Sequence, residues 1–141
     1  MTVSDGQPGQ VNGLVVSLPA DADQVPVARH AAAEYCRACG LPAPLIDDVK
    51  LVVTEACTNV VLHAYDGLPP CPHTFELSVH LEHGSLLVSV ADQGRGIAAP
   101  SRNRGLGLGL RLALQLAGGV HTRDSDGGLG TRLTMRFAVP E

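Results

Sequence analysis

Three polar residues recur at a spacing of four along one segment of the sequence. Glu55, Asn59 and His63 would form a single polar line on a helix. Carboxylate and amide oxygens suit a hard cation such as Mg²⁺, and a carboxylate can also act as a general base. A solvated helix face is the alternative interpretation of this spacing. The apolar neighbours of Glu55 and Asn59 favour a chemical role for these two residues.

A second candidate is the segment Asp92-Gln-Gly94-Arg-Gly96, which follows a predicted strand. Its glycines would let the backbone pass close to a planar ligand, and the carboxylate of Asp92 could accept a hydrogen bond from an exocyclic amine. A plain turn at the end of a strand is the alternative.

Two later segments are also rich in glycine. Residues 105–109, which follow Arg104, alternate Gly with Leu and open a predicted helix, whose N-terminal N–H groups and dipole could hold phosphates. Residues 128–131 read Gly-Leu-Gly-Thr between two predicted strands. A flexible linker and a hairpin turn are the respective alternatives. The residues of interest are Arg104, Gly105, Gly107, Gly109 and Thr131.

Hydrophobic periodicity predicts the elements that position these segments. Alternation at period two indicates strands, and apolar residues at i, i+4, i+7 and i+8 indicate an amphipathic helix. The resulting order, β-α-α-β-β-loop-α-β-β, predicts an α+β two-layer sandwich with a mixed, mostly antiparallel sheet covered on one face by helices. The predicted strands are 13–18, 74–82, 85–91, 120–124 and 131–139, and the predicted helices are 25–39, 44 to about 65, and 108–117.

Composition excludes several classes of function. The 141 residues carry a net charge of −4 and only 3% aromatic side chains, which argues against a nucleic-acid binder. No apolar stretch reaches ~18 residues and no signal pattern begins the chain, so we expect a cytoplasmic protein that does not enter a membrane. Residues 1–12 are predicted to be a flexible tail, and 13–141 a single domain.

Two further motifs carry less weight. The single lysine, Lys50, does not follow a glycine-rich run, so a phosphate loop of the GxxxxGK[ST] type is absent from the sequence. Cys36 and Cys39 form a CxxC, but they lie in a predicted helix without a second ligand pair, which favours packing over metal binding.

The four segments, in this order and spacing, resemble the motifs of the ATP-binding superfamily of gyrase, heat-shock chaperone, histidine kinase and mismatch-repair ATPases. The resemblance spans residues 14–139 and implies the Bergerat ATP-binding fold. The short form, with few residues between the second and third motifs, is similar to the anti-sigma-factor serine kinases of bacterial partner-switching systems.

The resemblance also implies roles for individual residues. Glu55 would be the general base, and Asn59 would ligate Mg²⁺ through its side-chain oxygen. Asp92 would accept a hydrogen bond from the adenine amino group, with Thr131 beside it. The remaining positions would surround the base or the phosphates of ATP: Gly94, Gly96, Arg104, Gly105, Gly107 and Gly109. The resemblance leaves open whether Arg102 or Arg104 would neutralise the γ-phosphate.

The function so implied is a serine/threonine protein kinase that uses ATP and Mg²⁺. It would phosphorylate an anti-sigma-antagonist of the STAS type and sequester a sigma factor, and the resemblance suggests a homodimer. A non-catalytic, ATP-dependent binding module is the first alternative. A histidine-kinase catalytic domain is the second, although no helical hairpin with a phosphoacceptor His precedes the domain in this sequence.

Overall fold

The computed structural model describes residues 13–65, 72–94, 119–124 and 130–140, with the backbone alone at 63–64 and 119–124. A strand comes first, two helices follow it, and four further strands complete the described part. A short 3₁₀ turn precedes the first helix, and a π-helix extends the second. The elements are β1 (Leu14–Pro19), the 3₁₀ turn (Ala22–Gln24), α1 (Val25–Ala38), α2 (Ala43–Asn59), the π-helix (Val60–Ala64), β2 (Thr74–Glu82), β3 (Ser85–Asp92), β4 (Gly119–Asp124) and β5 (Thr131–Ala138).

The strands form one sheet in the order β1-β2-β3-β5-β4. Every pairing between the described strands is antiparallel, so the parallel component of the predicted mixed sheet is not found there. His83 and Gly84 connect β2 to β3 and both have positive φ, at 49° and 80°. Such a two-residue turn matches the right-handed twist of the strands it joins, and the predicted hairpin is confirmed.

The core lies between the two helices and one face of the sheet. The helices pack against each other, α1 also contacts β1 and β2, and α2 contacts β3. Alternate residues of β2 point inward, and the residues between them are more exposed. The predicted apolar stripe of the long helix is buried at every position: Leu45, Val49, Val52, Val53, Ala56 and Val60. The predicted α+β sandwich with helices on one face is therefore confirmed.

The long helix ends differently from the prediction. The α-helix stops at Asn59, and residues 60–64 widen into a π-helix before Tyr65. A π-helix closes i→i+5 hydrogen bonds and usually extends for a single turn, which is too short for apolar periodicity to distinguish it from the end of an α-helix. Tyr65, the next residue, hydrogen-bonds through its hydroxyl to Thr74 of β2 and to Gln93, which follows β3.

Two cysteines belong to the core. Cys36 lies in the hydrophobic cluster, as the packing interpretation of the CxxC predicts, and burial raises the pKa of its thiol to about 11. Burial likewise raises the pKa of Cys57 to about 12. In the described ranges, no group of three or more His, Cys, Asp or Glu side chains could hold a metal ion. No helix among the described residues is long and apolar enough to cross a membrane.

Candidate functional site

Asp92 is the last residue of β3 and the only buried carboxylate among the described residues. Its side chain is only 1% exposed. The Oδ1 atom accepts a hydrogen bond from the backbone N–H of Gly94 at 2.9 Å, which bends the chain immediately after the strand. Gly94 is itself buried, and Gln93 between them is exposed. The local sequence thus holds a carboxylate at the end of the strand in a fixed orientation.

Thr131 is the nearest predicted site residue to Asp92 on the neighbouring strand. The register of β3 and β5 places the two residues directly opposite each other, and Thr131 is 7% exposed. Directly opposed residues of an antiparallel pair have Cβ atoms about 4.5–5.5 Å apart. A carboxylate and a hydroxyl therefore lie on opposed residues at one end of the sheet, in the positions that the family resemblance implies.

Glu55 and Asn59 lie one turn apart at the end of α2. Asn59 is buried, whereas Glu55 is half-buried, and no hydrogen bond or ion pair joins the Glu55 carboxylate to another described residue. The side-chain amide Nδ2 of Asn59 donates to the backbone carbonyl of Glu55 at 2.8 Å. Because a carbonyl can only accept, this contact fixes which end of the amide is Nδ2 and turns Oδ1 away from the helix backbone. The oxygen expected to bind a cation is thereby oriented.

Tyr65 connects the end of the π-helix to the segment that contains Asp92. Its hydroxyl donates to the carbonyl of Thr74 at 2.6 Å and accepts from the backbone N–H of Gln93 at 2.9 Å. Its ring stacks on that of His73, with centroids 4.0 Å apart. The sequence places residue 65 only at the approximate end of the predicted long helix and predicts no role for its side chain. The one feature of the sequence that could have drawn attention to Tyr65 is its hydroxyl-bearing aromatic ring, in a chain with only 3% aromatic residues.

The remaining predicted site residues lie outside the described part of the chain. They are Gly96, Arg104, Gly105, Gly107 and Gly109, together with Arg102, the alternative to Arg104. The side chain of His63 is not described either. The predicted site residues that the structure describes are Glu55, Asn59, Asp92, Gly94 and Thr131, and Tyr65 contacts the segment that holds Asp92 and Gly94.

A two-layer α+β domain with a buried carboxylate and a hydroxyl opposed at the end of its sheet is the fold expected of an ATP-binding domain of the histidine-kinase type. The family model for the histidine kinase-like ATPase domain matches residues 18–137. The chain belongs to this family, and within it to the group that includes the serine-protein kinases RsbW. The predicted family resemblance is therefore confirmed, and the chain is an ATP-binding domain.

Three curated relatives carry the name serine-protein kinase RsbW. The chain is 32% identical to that of Bacillus velezensis over 127 residues, which are 87% of this chain and 72% of the relative. It is 34% identical to that of Bacillus licheniformis over 124 residues, which are 85% of this chain and 70% of the relative. It is 36% identical to that of Halalkalibacterium halodurans over 86 residues, which are 61% of this chain and 51% of the relative. The chain thus spans about half the length of this last relative.

A solved structure supports the fold independently. The crystal structure of the RsbU and RsbW domains of a Mycobacterium tuberculosis protein superimposes with a TM-score of 0.65. The match has 20% identity and covers 90% of this chain and 32% of that one. At this identity the likeness establishes the fold alone.

Proposed function

We propose that the chain is an ATP-dependent serine/threonine protein kinase of the anti-sigma-factor type. It transfers the γ-phosphoryl group of ATP to a serine or threonine of a STAS-type anti-sigma-antagonist, and it binds a sigma factor as its second partner. Such partners control transcription, so the reaction takes place in the cytoplasm. Residues 13–141 form the single domain that carries this activity, and two copies form a homodimer.

The buried pair of Asp92 and Thr131 is the observation that carries the proposal. The adenine of ATP offers an exocyclic amine, which donates hydrogen bonds, and a carboxylate can only accept them. Asp92 is held in one orientation by the N–H of Gly94, so its acceptor geometry is set before the nucleotide arrives. Thr131 adds a hydroxyl beside the same edge of the base.

Asn59 fits the role of a Mg²⁺ ligand. Mg²⁺ usually keeps several waters and takes one or two protein oxygens together with substrate phosphates. The oriented Oδ1 of Asn59 supplies one such oxygen. The ion, when bound with ATP, supplies charge neutralisation on the phosphates. The glycines at 94, 96, 105, 107 and 109 and the arginine at 104 complete the proposed nucleotide site.

Glu55 is the proposed general base. It lies one helical turn before Asn59 and is only half-buried, which leaves part of the residue accessible to a hydroxyl of a partner protein. Glu55 takes the proton of the acceptor hydroxyl, the hydroxyl oxygen bonds to the γ-phosphorus, and the bond from that phosphorus to the bridging oxygen breaks. ADP leaves with the electron pair of that bond. Positioning of this kind provides most of the catalysis in phosphoryl transfer.

Replacing Glu55 separates the kinase from a non-catalytic ATP-dependent binding module. Glu55→Gln keeps the size of the side chain and removes the proton acceptor, so ATP and partner binding should survive while transfer falls by roughly 10²–10⁴-fold. The measurement is a single-turnover assay with γ-labelled ATP, Mg²⁺ and antagonist proteins encoded nearby. Glu34→Gln is the matched control, because Glu34 is an exposed carboxylate on α1 that pairs with Arg37.

Three results of this assay lead to different conclusions. Transfer by the wild-type chain that is lost in Glu55→Gln and retained in Glu34→Gln supports the kinase. A wild-type chain that captures its partner with ATP but transfers no phosphate is the binding module. Transfer by Glu55→Gln within a factor of about two of wild type would remove Glu55 from the mechanism.

A further inference from the structure

The hydroxyl of Tyr65 occupies the place of a missing backbone hydrogen bond in the sheet. The paired register of β2 and β3 ends at Phe75 and Asp92. One more step along this register would place Thr74 opposite Gln93, where the N–H of one strand would meet the carbonyl of the other. Instead, the N–H of Gln93 donates to the Tyr65 hydroxyl, and the hydroxyl donates to the carbonyl of Thr74. The side chain thus bridges the two strands where they separate.

This bridge completes the support of the turn that follows Asp92. The pairing with β2 and β5 holds Asp92 itself, and the Asp92 carboxylate holds the N–H of Gly94. The N–H of Gln93, between them, is held by Tyr65. Asp92, Gln93 and Gly94 are therefore each held by a hydrogen bond or by strand pairing. The contact that holds Gln93 comes from a side chain outside the sheet.

The same side chain belongs to the helical segment that carries the other half of the site. Asn59 ends α2, the π-helix follows at once, and Tyr65 is the next residue after it. Stacking on His73 holds the aromatic ring independently of the hydroxyl. The hydroxyl therefore joins the segment with the proposed cation ligand to the segment with the proposed adenine contact.

We propose that Tyr65 is a positioning residue for adenine recognition: its hydroxyl, by replacing a sheet hydrogen bond at Gln93, sets the orientation of the Asp92 carboxylate. This inference rests on the proposed nucleotide site. It assigns Tyr65 no contact with ATP. Its contribution is to the affinity and selectivity for the base, and the transfer step needs nothing from it once ATP is bound.

Tyr65→Phe tests the proposal because it removes only the hydroxyl and keeps the ring that stacks on His73. Two hydrogen bonds of typical net strength are lost, so affinity for adenosine and for ATP should fall by about three- to tenfold. The preference for ATP over GTP should fall with it. At saturating ATP the transfer rate should stay within about twofold of wild type, so the change appears in KM rather than in kcat.

Tyr35→Phe is the matched control. The hydroxyl of Tyr35 also accepts a hydrogen bond from a backbone N–H of the sheet, that of Leu81 at 3.3 Å, but it does so at the other end of β2. A general loosening of the sheet would affect both variants equally. We expect Tyr35→Phe to leave adenosine affinity and base preference unchanged.

Hydrogen exchange of the backbone amides supplies a readout that needs no nucleotide. The amide of Gln93 should be protected in the wild-type chain and exchange faster in Tyr65→Phe, with the amides in the middle of β3 unchanged. Faster exchange at Gln93 together with weaker adenosine binding supports the proposal. Faster exchange with unaltered adenosine affinity and ATP preference overturns it.

The proposed function can fail separately. A wild-type chain that binds no adenine nucleotide would overturn both the nucleotide site and this inference. A wild-type chain that binds ATP, with a Tyr65→Phe variant of equal affinity and equal ATP preference, would overturn only the role of Tyr65.

Discussion

Replacing Asp92 by asparagine isolates the chemistry of base recognition from the shape of the site. Asn has the size of Asp and keeps one side-chain oxygen, which can still accept the hydrogen bond from Gly94 N–H. It replaces the other oxygen with an amide NH₂, which donates where adenine also donates. The turn after β3 should therefore persist while the contact with the adenine amine is lost.

The magnitude follows from the burial of this side chain. A hydrogen bond to a charged group contributes about 1.5–3 kcal/mol, and an environment with little water keeps such a bond near the upper end. Asp92 is 1% exposed, so water cannot replace the lost bond. We expect ATP affinity to fall by about ten- to hundredfold. Asp92→Ala would also remove the hydrogen bond to Gly94, so the free energy of ATP binding should weaken by about a further 0.5–1.5 kcal/mol.

Isothermal titration calorimetry with ATP and with GTP measures this effect. The wild-type chain should prefer ATP, because guanine presents a carbonyl where adenine presents the amine. The amide of Asp92→Asn can donate to that carbonyl, so the preference should weaken or reverse. Asp47→Asn is the control, since Asp47 is an exposed carboxylate on α2. An Asp92→Asn variant that binds ATP within twofold of wild type would refute the assignment of Asp92.

Three other perturbations test the cation ligand, the core and a buried thiol. Asn59→Ala should remove the gain in ATP affinity that Mg²⁺ provides, so a chelator should weaken ATP binding to the wild-type chain and leave the variant unchanged in calorimetry. Leu77→Ala, at a fully buried position of β2, should lower the free energy of unfolding by about 2–5 kcal/mol in urea titrations, whereas Leu51→Ala, at a position 40% exposed, should change it by less than about 1 kcal/mol. Because burial raises the pKa of Cys57 from 9.0 to about 12, the folded state binds that proton more tightly, and the resulting stability is complete below pH 9 and lost as the pH rises towards 12. Urea titrations between pH 8 and 11 should show that the free energy of unfolding falls less with rising pH for Cys57→Ala than for the wild-type chain.

The elements of this fold could be predicted because each one carries a local pattern. Alternation over 74–82 and 85–91 predicted the hairpin, and the turn residues His83 and Gly84 fixed its register. The stripe from Leu45 to Val60 predicted which face of the long helix is buried. The order of the strands was not predictable in this way, because β5 inserts between β3 and β4 through pairings that are distant in sequence.

The candidate site, like the order of the strands, depends on contacts between residues that are distant in sequence. Asp92 and Thr131 could be predicted as neighbours only through a family resemblance, since nothing local connects residues so far apart in the chain. The change to a π-helix after Asn59 and the bridge made by Tyr65 were not predicted. Both depend on contacts between the end of a helix and the end of a sheet, and neither leaves a periodic signal in the sequence.

A crystal structure of the chain with Mg²⁺ and a non-hydrolysable ATP analogue tests the nucleotide site most directly. The proposed site predicts that the adenine amino nitrogen lies within about 3.2 Å of an Asp92 carboxylate oxygen. It also predicts that Oδ1 of Asn59 is a ligand of the metal ion and that Thr131 borders the base. A nucleotide bound elsewhere on the chain, or bound with its base away from Asp92, would contradict it.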